Sequence, residues 1–474
     1  MTTTQNNRKI LHRKEWEMMT PAPVASSAGS FIIKDHLWIK RTTLFVSSAT
    51  IQYLYWVDED GWELTPSMSL AGTFGAGACG EWWLWSNTLT ANGWSTTTVT
   101  TTTSINNGML GQTIRFLTWS QAGKEVTVTA VDIIPWGTNT ITFTPALSGA
   151  IVNTDTFACN TGRYYVLNAG TVAAGIFKSI DPITGVVTSL GTTGLPTSIG
   201  TECRLKSTPS YVGAYATWTA TSATSTTLVN SAKTWATNQW CNYQVRITAG
   251  TWIGQIRTIT SNTWTTLTVP TWTVTPDATS VYAIEANDDF IYLLGNNAVT
   301  MYRYSISGNT WTTLAPTTAR AAAPVAGCGA NWIGKSGNAT WADESNIRDG
   351  RYIYSFRGGA SSAMDRFDIA GGTAGAGAWA NIAYVGAAET FTTWSGYDVQ
   401  GGDIYIRKDA TNRFFRYSTV WNNLYPFSTN QYPDGAAVAW DKLFSARYTD
   451  GATNIDWLYS LRNSGTELHR IMIY

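Results

Sequence analysis

The stretch FIYLLGNNAVTMYRYSISGNTWTTLAP, residues 290–316, decides the reading of the whole chain. Its aromatic and aliphatic residues fall in three short runs, separated by Gly295-Asn296-Asn297 and by Ser307-Gly308-Asn309. Runs of this composition bounded by Gly and Asn are strands joined by tight turns. The third run opens on Trp311 and ends before Pro316, so the unit is a strand, a second strand and a Trp-led strand. The phrase returns as RYIYSFRGG, MDRFDIA and WANIAY within 351–384, and as DIYIRKDA, RFFRYST and WNNLYP within 403–426. It returns again as IQYLYWVDEDGWELTP at 51–66, and in degenerate form as RYYVLNAG, GIFKSIDPITG and VVTSL within 163–190, with Val187 in place of Trp.

The order IYLLGN, MYRYS, W-x-x-L resembles a kelch repeat, and Gly358-Gly359 supplies the double glycine of that family. The resemblance implies a blade of four antiparallel strands whose outermost strand begins with Trp. The chain ends DWLYSLRNS and ELHRIMIY, two middle strands with no Trp strand to follow, whereas Trp16 in EWEMMTPAP stands alone at the other terminus. An N-terminal strand completing the C-terminal sheet leaves no open edge. Trp16, Trp62, Val187, Trp311, Trp379 and Trp421 then mark six outer strands. The expected fold is all-β: a six-bladed kelch-like β-propeller closed by an N-terminal strand, carrying two small inserted β-barrel or sandwich domains.

The inserts are read from spacing. Trp62 and Val187, and Val187 and Trp311, stand much further apart than the ~50 residues of a kelch unit, and the excess segments resemble each other. Ile114-Arg115 aligns with Val245-Arg246, and TNTITFTP with TWTTLTVP. The expected division is an arm at 1–13, a propeller at 14–92, 160–213 and 286–474, and inserted domains at 93–159 and 214–285. Cys79, Cys203 and Cys328 follow Trp62, Val187 and Trp311 at matched distances. That places the inserts after the innermost strands of adjacent blades, side by side on one face.

Composition narrows function. Charged residues are 13% of the 474, against a typical ~25%, while aromatics are also 13%, with 24 Trp. Net charge is +0, which argues against nucleic acid as a partner because phosphate neutralisation needs a basic face. Three His (His12, His36, His469) disfavour a His-built metal or acid–base centre. No run approaches the 18 apolar residues of a membrane span, and the basic, polar N-terminus predicts no signal peptide. Five Cys without CxxC spacing predict reduced thiols rather than a disulfide framework or zinc site.

Several residues were candidates for chemistry. The three equivalent Cys read as small wall residues rather than metal ligands, and Cys159 and Cys241 as buried thiols. Asp58-Glu59-Asp60-Gly61 reads as a hairpin turn more than a calcium loop. Asp343, Glu344, Arg348 and Asp349 read as a solvated loop rather than a carboxylate pair spaced for glycoside hydrolysis. Trp119, Trp136, Trp252, Trp264 and Trp272 in the inserts are the candidates for a binding surface, since exposed aromatics stack on sugars or anchor interfaces. No catalytic residue and no cofactor is expected.

The second insert resembles a Thr-rich β-module of tailed-bacteriophage virion proteins. The match runs through Asn238-Gln239-Trp240, Tyr243-Gln244-Val245-Arg246-Ile247, Gly254-Gln255-Ile256-Arg257-Thr258-Ile259, Thr265-Thr266-Leu267-Thr268-Val269 and Thr275-Pro276-Asp277-Ala278-Thr279-Ser280-Val281-Tyr282. It departs at Cys241-Asn242, where the module has a small residue and Gly, and at Trp252-Ile253, where it has a Gly-rich turn. The resemblance implies a non-enzymatic virion structural protein of the tail, baseplate or capsid surface, assembled in the host cytoplasm. Its partners would be other virion proteins in a symmetric assembly. The alternative is a receptor-recognition protein that binds host-surface glycan, and a polysaccharide-acting enzyme comes last, since no sialidase-type Asp-box array is present.

Overall fold

The computed structural model describes residues 16–473 apart from 26–30, 35–41, 47–51, 57–59, 65–69, 71–73, 77, 84–86, 94, 103–112, 119–120, 123, 133–137, 160–162, 181–185, 201–202, 208–213, 252–254, 286, 288, 295–297, 324–330, 333–350, 359–360, 373–374, 387–388, 392–395, 401–402, 409–410, 412, 420, 428–441, 451–452 and 463–464. Among the described residues every named element is a strand, so the protein is all-β.

Six sheets share one plan, four antiparallel strands in series. The first holds Phe31–Lys34, Thr42–Val46, Gln52–Trp56 and Gly61–Leu64, and the second Cys79–Trp83, Arg163–Leu167, Phe177–Ile180 and Val187–Ser189. The third holds Arg204–Ser207, Phe290–Leu294, Met301–Ser305 and Thr310–Leu314, and the fourth Asn331–Trp332, Tyr352–Phe356, Met364–Asp368 and Ala378–Ile382. The fifth comprises Gly396–Gln400, Asp403–Arg407, Phe414–Ser418 and Asn423–Phe427, with Val385–Gly386 added in parallel to the last. The sixth is Lys442–Asp450, Thr453–Leu461 and Leu468–Ile473, and its outer strand is Glu17–Met18 from the other end of the chain. Glu17 faces Arg470 and accepts a hydrogen bond from its Nε at 2.9 Å.

A short meander cannot cover both of its own faces, and here each sheet is covered by its neighbours. One apolar cluster joins sheets one, two and three through Ile33, Leu44, Tyr165, Phe177, Leu205 and Trp311. Tyr292 and Leu314 meet Phe367 and Trp379 between three and four. Phe356 meets Phe415 between four and five, and Phe414 meets Ile471 between five and six. Tyr55 and Phe45 pack on Phe444 and Tyr459, which brings six back to one.

One hairpin device recurs in sheets one, three and five. Asp60, Asn309 and Asn422 take left-handed φ of 48°, 49° and 49°, a conformation that Asn and Asp tolerate best among residues with a side chain. Each accepts a hydrogen bond from the phenol five residues earlier: Tyr55 at 2.8 Å, Tyr304 at 2.7 Å and Tyr417 at 2.8 Å. Each also reaches the chain just past the end of the preceding sheet's outer strand. Asp60 accepts the Thr20 N–H, Asn309 accepts the Gly191 N–H, and the Asn422 amide donates to the Ala383 carbonyl.

The same device corrects one marker. Tyr55 pairs with Trp62, Tyr304 with Trp311, Phe367 with Trp379 and Ile180 with Val187. In sheet five, however, Tyr417 pairs with the buried Leu424. Trp421 sits in the turn before Asn422 with 74% of its surface exposed. The Tyr-to-Asx spacing sets the register, and it puts Leu424 where the tryptophan was expected.

The two inserted segments fold alike. In the first the strand order is Asn87–Thr90, Thr156–Cys159, Thr113–Phe116, Glu125–Asp132, Asn139–Thr144, Thr98–Thr101, and the Asn92 N–H donates to the Thr100 carbonyl at 2.7 Å to bring the ends nearly together. The second repeats that order across two four-stranded sheets, with its fourth strand broken into Ile256–Thr258 and Ser261–Asn262 and an extra strand, Ser222–Thr224, beside Thr227–Val229. Equivalent backbone bonds follow: Phe116 to Lys124 matches Ile247 to Gln255, and Phe143 to Thr97 matches Val269 to Thr226. The first module therefore begins at Asn87 rather than at residue 93, because Asn87–Thr90 pairs with Thr156–Cys159.

Replacing Asn309 with Ala removes two hydrogen bonds at a left-handed turn. The expected loss is about 2 kcal/mol at roughly 1 kcal/mol per bond, read as a lower urea midpoint. Asn309→Asp, the residue used at position 60, should retain most of the stability.

Candidate interaction surface on the inserted modules

Five tryptophans were the sequence's candidates for this surface, and two lie among the described residues. Trp264 occupies the tip of the hairpin closed by the Thr263 N–H on the Thr266 carbonyl. The Trp235 N–H holds its carbonyl at 2.9 Å, so the backbone is pinned while 68% of the residue stays exposed. Trp272 is not a surface residue: it is 3% exposed and packs in the module core. After Val269 the chain folds back across the module, the Trp272 N–H reaches the Ser225 carbonyl, and Arg257 lies over the ring at 5.6 Å. Trp119, Trp136 and Trp252 lie outside the described residues.

The sequence reading missed Trp218, half-buried on the same module. Lys233 Nζ sits 3.6 Å from its ring centroid, and Trp235 and Tyr282 pack beside it. The signal available was a lysine in the turn Asn230-Ser231-Ala232-Lys233, which was not weighed.

The two modules meet through their own equivalent residues. Arg115 and Arg246 occupy matching strand positions and are both buried. Arg115 contacts Glu125 at 2.8 Å and Glu285 at 3.2 Å. Arg246 bonds Glu285 through Nε at 3.0 Å and approaches Glu125 at 3.4 Å, while the Gln244 amide donates to Glu285 at 3.2 Å. Two buried cations and the buried Glu285 thus share one site, with Glu125 at its exposed rim. Burial alone would raise the Glu285 carboxyl, but Arg115 and Arg246 outweigh it and hold the group below the ordinary glutamate range.

The remaining candidates resolve in part. Asp60 Oδ1 is occupied by Tyr55 and the Thr20 N–H, so the hairpin uses it structurally. Asp58, Glu59, Cys328, Asp343, Glu344, Arg348 and Asp349 lie outside the described residues, as does the Cys159 side chain. Cys79, Cys203 and Cys241 are buried and take part in no disulfide. Cys79 and Cys203 lie at the start of the first strands of sheets two and three, within one apolar cluster. Among the described residues no three His, Cys, Asp or Glu side chains gather as a metal set, and no helix is long and apolar enough to cross a membrane.

No protein-family model matches the chain, and no curated protein matches it either. Among solved structures it is similar to a structural-genomics protein of unknown function from Bacteroides thetaiotaomicron, at 11% identity and a TM-score of 0.17, over 81% of this chain and 97% of that one. It is also similar to the phage phi92 endosialidase, at 11% identity and a TM-score of 0.18, over 98% of this chain and 69% of that one. At these scores the overlap carries no argument about function.

Two outcomes follow from this chemistry. Glu285→Gln leaves two buried guanidinium groups short of a counter-charge, and breaking such a pair costs about 3 kcal/mol or more. Because the folded carboxyl titrates below its unfolded value, its stabilisation is complete above the unfolded pKa near ~4.3 and is lost as pH falls through the folded one. Unfolding midpoints of wild type and Glu285→Gln should therefore differ most at neutral pH and converge in acid. Burial pushes the Cys79 thiol up to about 12 and the Cys241 thiol up to about 11. A chromogenic disulfide reagent at pH 8 should therefore label neither at an appreciable rate until denaturant is added.

Proposed function

We propose that the six sheets form a closed six-bladed kelch-like propeller, and that the protein is a non-enzymatic structural component of a bacteriophage particle. The tail, the baseplate and the capsid surface are the positions this reading allows, with other virion proteins as partners in a symmetric assembly. The observation that carries it is the module, present twice with one strand order.

The residues that carry the phage-module resemblance are the ones that build that fold. Trp240, Tyr243, Val245, Ile247, Ile259, Leu267, Val269 and Tyr282 form its buried face. Asn262 accepts the Trp240 N–H at 2.7 Å and donates to the Ala236 carbonyl at 2.9 Å, locking the Asn238 turn. Asp277 caps the turn before the last strand, accepting from the Thr279 N–H at 2.8 Å. The shared pattern is thus a folding pattern, and it supports the kind of module rather than any one binding event. A chain whose outer strand is supplied by its own N-terminus, with two such modules joined by buried charge, suits a particle exposed outside cells.

A second reading has one observation in its favour, the exposed Trp264, which has the chemistry to stack on a sugar ring of a host-surface glycan.

Mass spectrometry and immunogold microscopy of density-purified particles test the first reading. The chain should appear in fixed proportion to the known structural proteins and decorate one location. Finding it only in the non-particulate fraction would overturn the assignment. A glycan array tests the second: Trp264→Ala should lose at least tenfold in binding to any glycan the wild type retains.

A further inference from the structure

The second module differs from the first at the residue that touches the ring of sheets. Extending the alignment of Val245-Arg246 with Ile114-Arg115 places Asn242 opposite Gly111. Asn242 has a left-handed φ of 67°, a conformation glycine adopts at less cost. An asparagine at such a place needs a reason, and its side chain supplies one. It is 7% exposed, and its amide nitrogen donates to the carbonyls of Ile369 and Gly375, the latter at 2.9 Å. Its Oδ1 accepts from Arg303 Nη1 at 2.9 Å. Both amide hydrogens and one oxygen lone pair are therefore used by residues outside the module.

The receiving surface is built from two sheets. Arg303 lies on the third strand of sheet three and stacks at 4.1 Å on Phe290. Ile369 and Gly375 belong to the turn after Met364–Asp368 in sheet four. Gly375 has φ +72°, and a Cβ there would stand 2.8 Å from Asn242 Oδ1 and 3.0 Å from Cys241 Sγ. Arg351 of sheet four approaches the Gln239 carbonyl of the same module turn at 3.5 Å. The turn that departs from the module pattern, Cys241-Asn242, is the one seated against the ring.

We propose that Asn242 is the address residue of the second module: with Arg303 and the Gly375 turn it fixes that module on sheets three and four. Gly111, which the alignment gives the first module at this place, has no side chain to make these bonds. The inference stands apart from any role in a virion, since it concerns how this chain assembles itself.

Hydrogen exchange on the full chain tests it. Asn242→Gly keeps the backbone geometry and copies the first module, so the module itself should still fold. Amides in 369–379 should exchange at least tenfold faster, while those in Gln244–Ala249 and Val281–Glu285 keep wild-type rates. Arg303→Met, which leaves the module's sequence untouched, should accelerate exchange in 238–243 as well. Exchange within twofold of wild type at 369–379 in Asn242→Gly would overturn the proposal. So would equal acceleration in the module's core strands, which would make Asn242 a folding residue of the module and not its address.

Discussion

The hydrogen bond from a strand-three tyrosine to an Asx five residues later does two jobs on which the packing of the sheets depends. Within its sheet it fixes the left-handed turn, and so the register by which Trp62, Trp311 or Leu424 faces the phenol ring. Between sheets the same Asx holds the chain just after the preceding outer strand, at Thr20, Gly191 or Ala383. Since a one-residue slip would turn every apolar side chain to the wrong face, register and sheet-to-sheet packing are one constraint. Burial of Tyr55, Tyr304 and Tyr417 raises all three phenols well above their ordinary range, so they stay protonated donors at any physiological pH.

The modules are held by a different principle. Their strands follow the first strands of sheets two and three, and charged side chains join them through Arg115, Arg246, Glu125 and Glu285. Arg115 and Arg246 converge on Glu285 because duplicated modules facing one another present duplicated residues. Such a site costs desolvation for every ion and is a weak source of stability relative to apolar packing. Its geometry is demanding, however: a guanidinium fork bonds a carboxylate well only in a narrow range of orientations. The network thus fixes the angle between the modules more than it contributes to their cohesion.

How much of this was legible depends on which residues carry the information. Strand type and repeat order came from short apolar and aromatic runs bounded by Gly and Asn, as in Phe290–Leu294 and Met301–Ser305, which pair with each other as consecutive strands. The likeness of the two inserts was legible because Ile114-Arg115 and Val245-Arg246 keep the same place in both. Trp421 misled because tryptophan identity was used as the marker, whereas the turn residue Asn422 sets the register. Trp272 misled because nothing local shows the chain folding back so that its N–H bonds the Ser225 carbonyl. The meeting of Arg115 with Glu285 joins positions far apart in sequence, and a single sequence has no term for that.

The low charge of the chain takes on a more specific meaning in the structure. With 31 basic and 31 acidic residues in 474, several charges are nonetheless interior. Asp365 lies between Arg320 and Arg357 at 2.8 Å and 2.6 Å, and Arg320 also reaches Ser355 and the face of Trp379. Burial pushes the Asp365 carboxyl up, and the two guanidinium groups push it further down, leaving it below the ordinary range. Arg407, 1% exposed, extends from sheet five to the Ser460 hydroxyl of sheet six. Arg407 sits at the boundary between sheets five and six, and Arg320 ties the segment that enters sheet four to that sheet's middle strands. Hydrophobic contact is indifferent to small rotations of one sheet on the next, and a bidentate ion pair is not. The few charges that are buried therefore orient one β element on the next, as Arg407 does between sheets five and six and Arg115, Arg246 and Glu285 do between the modules.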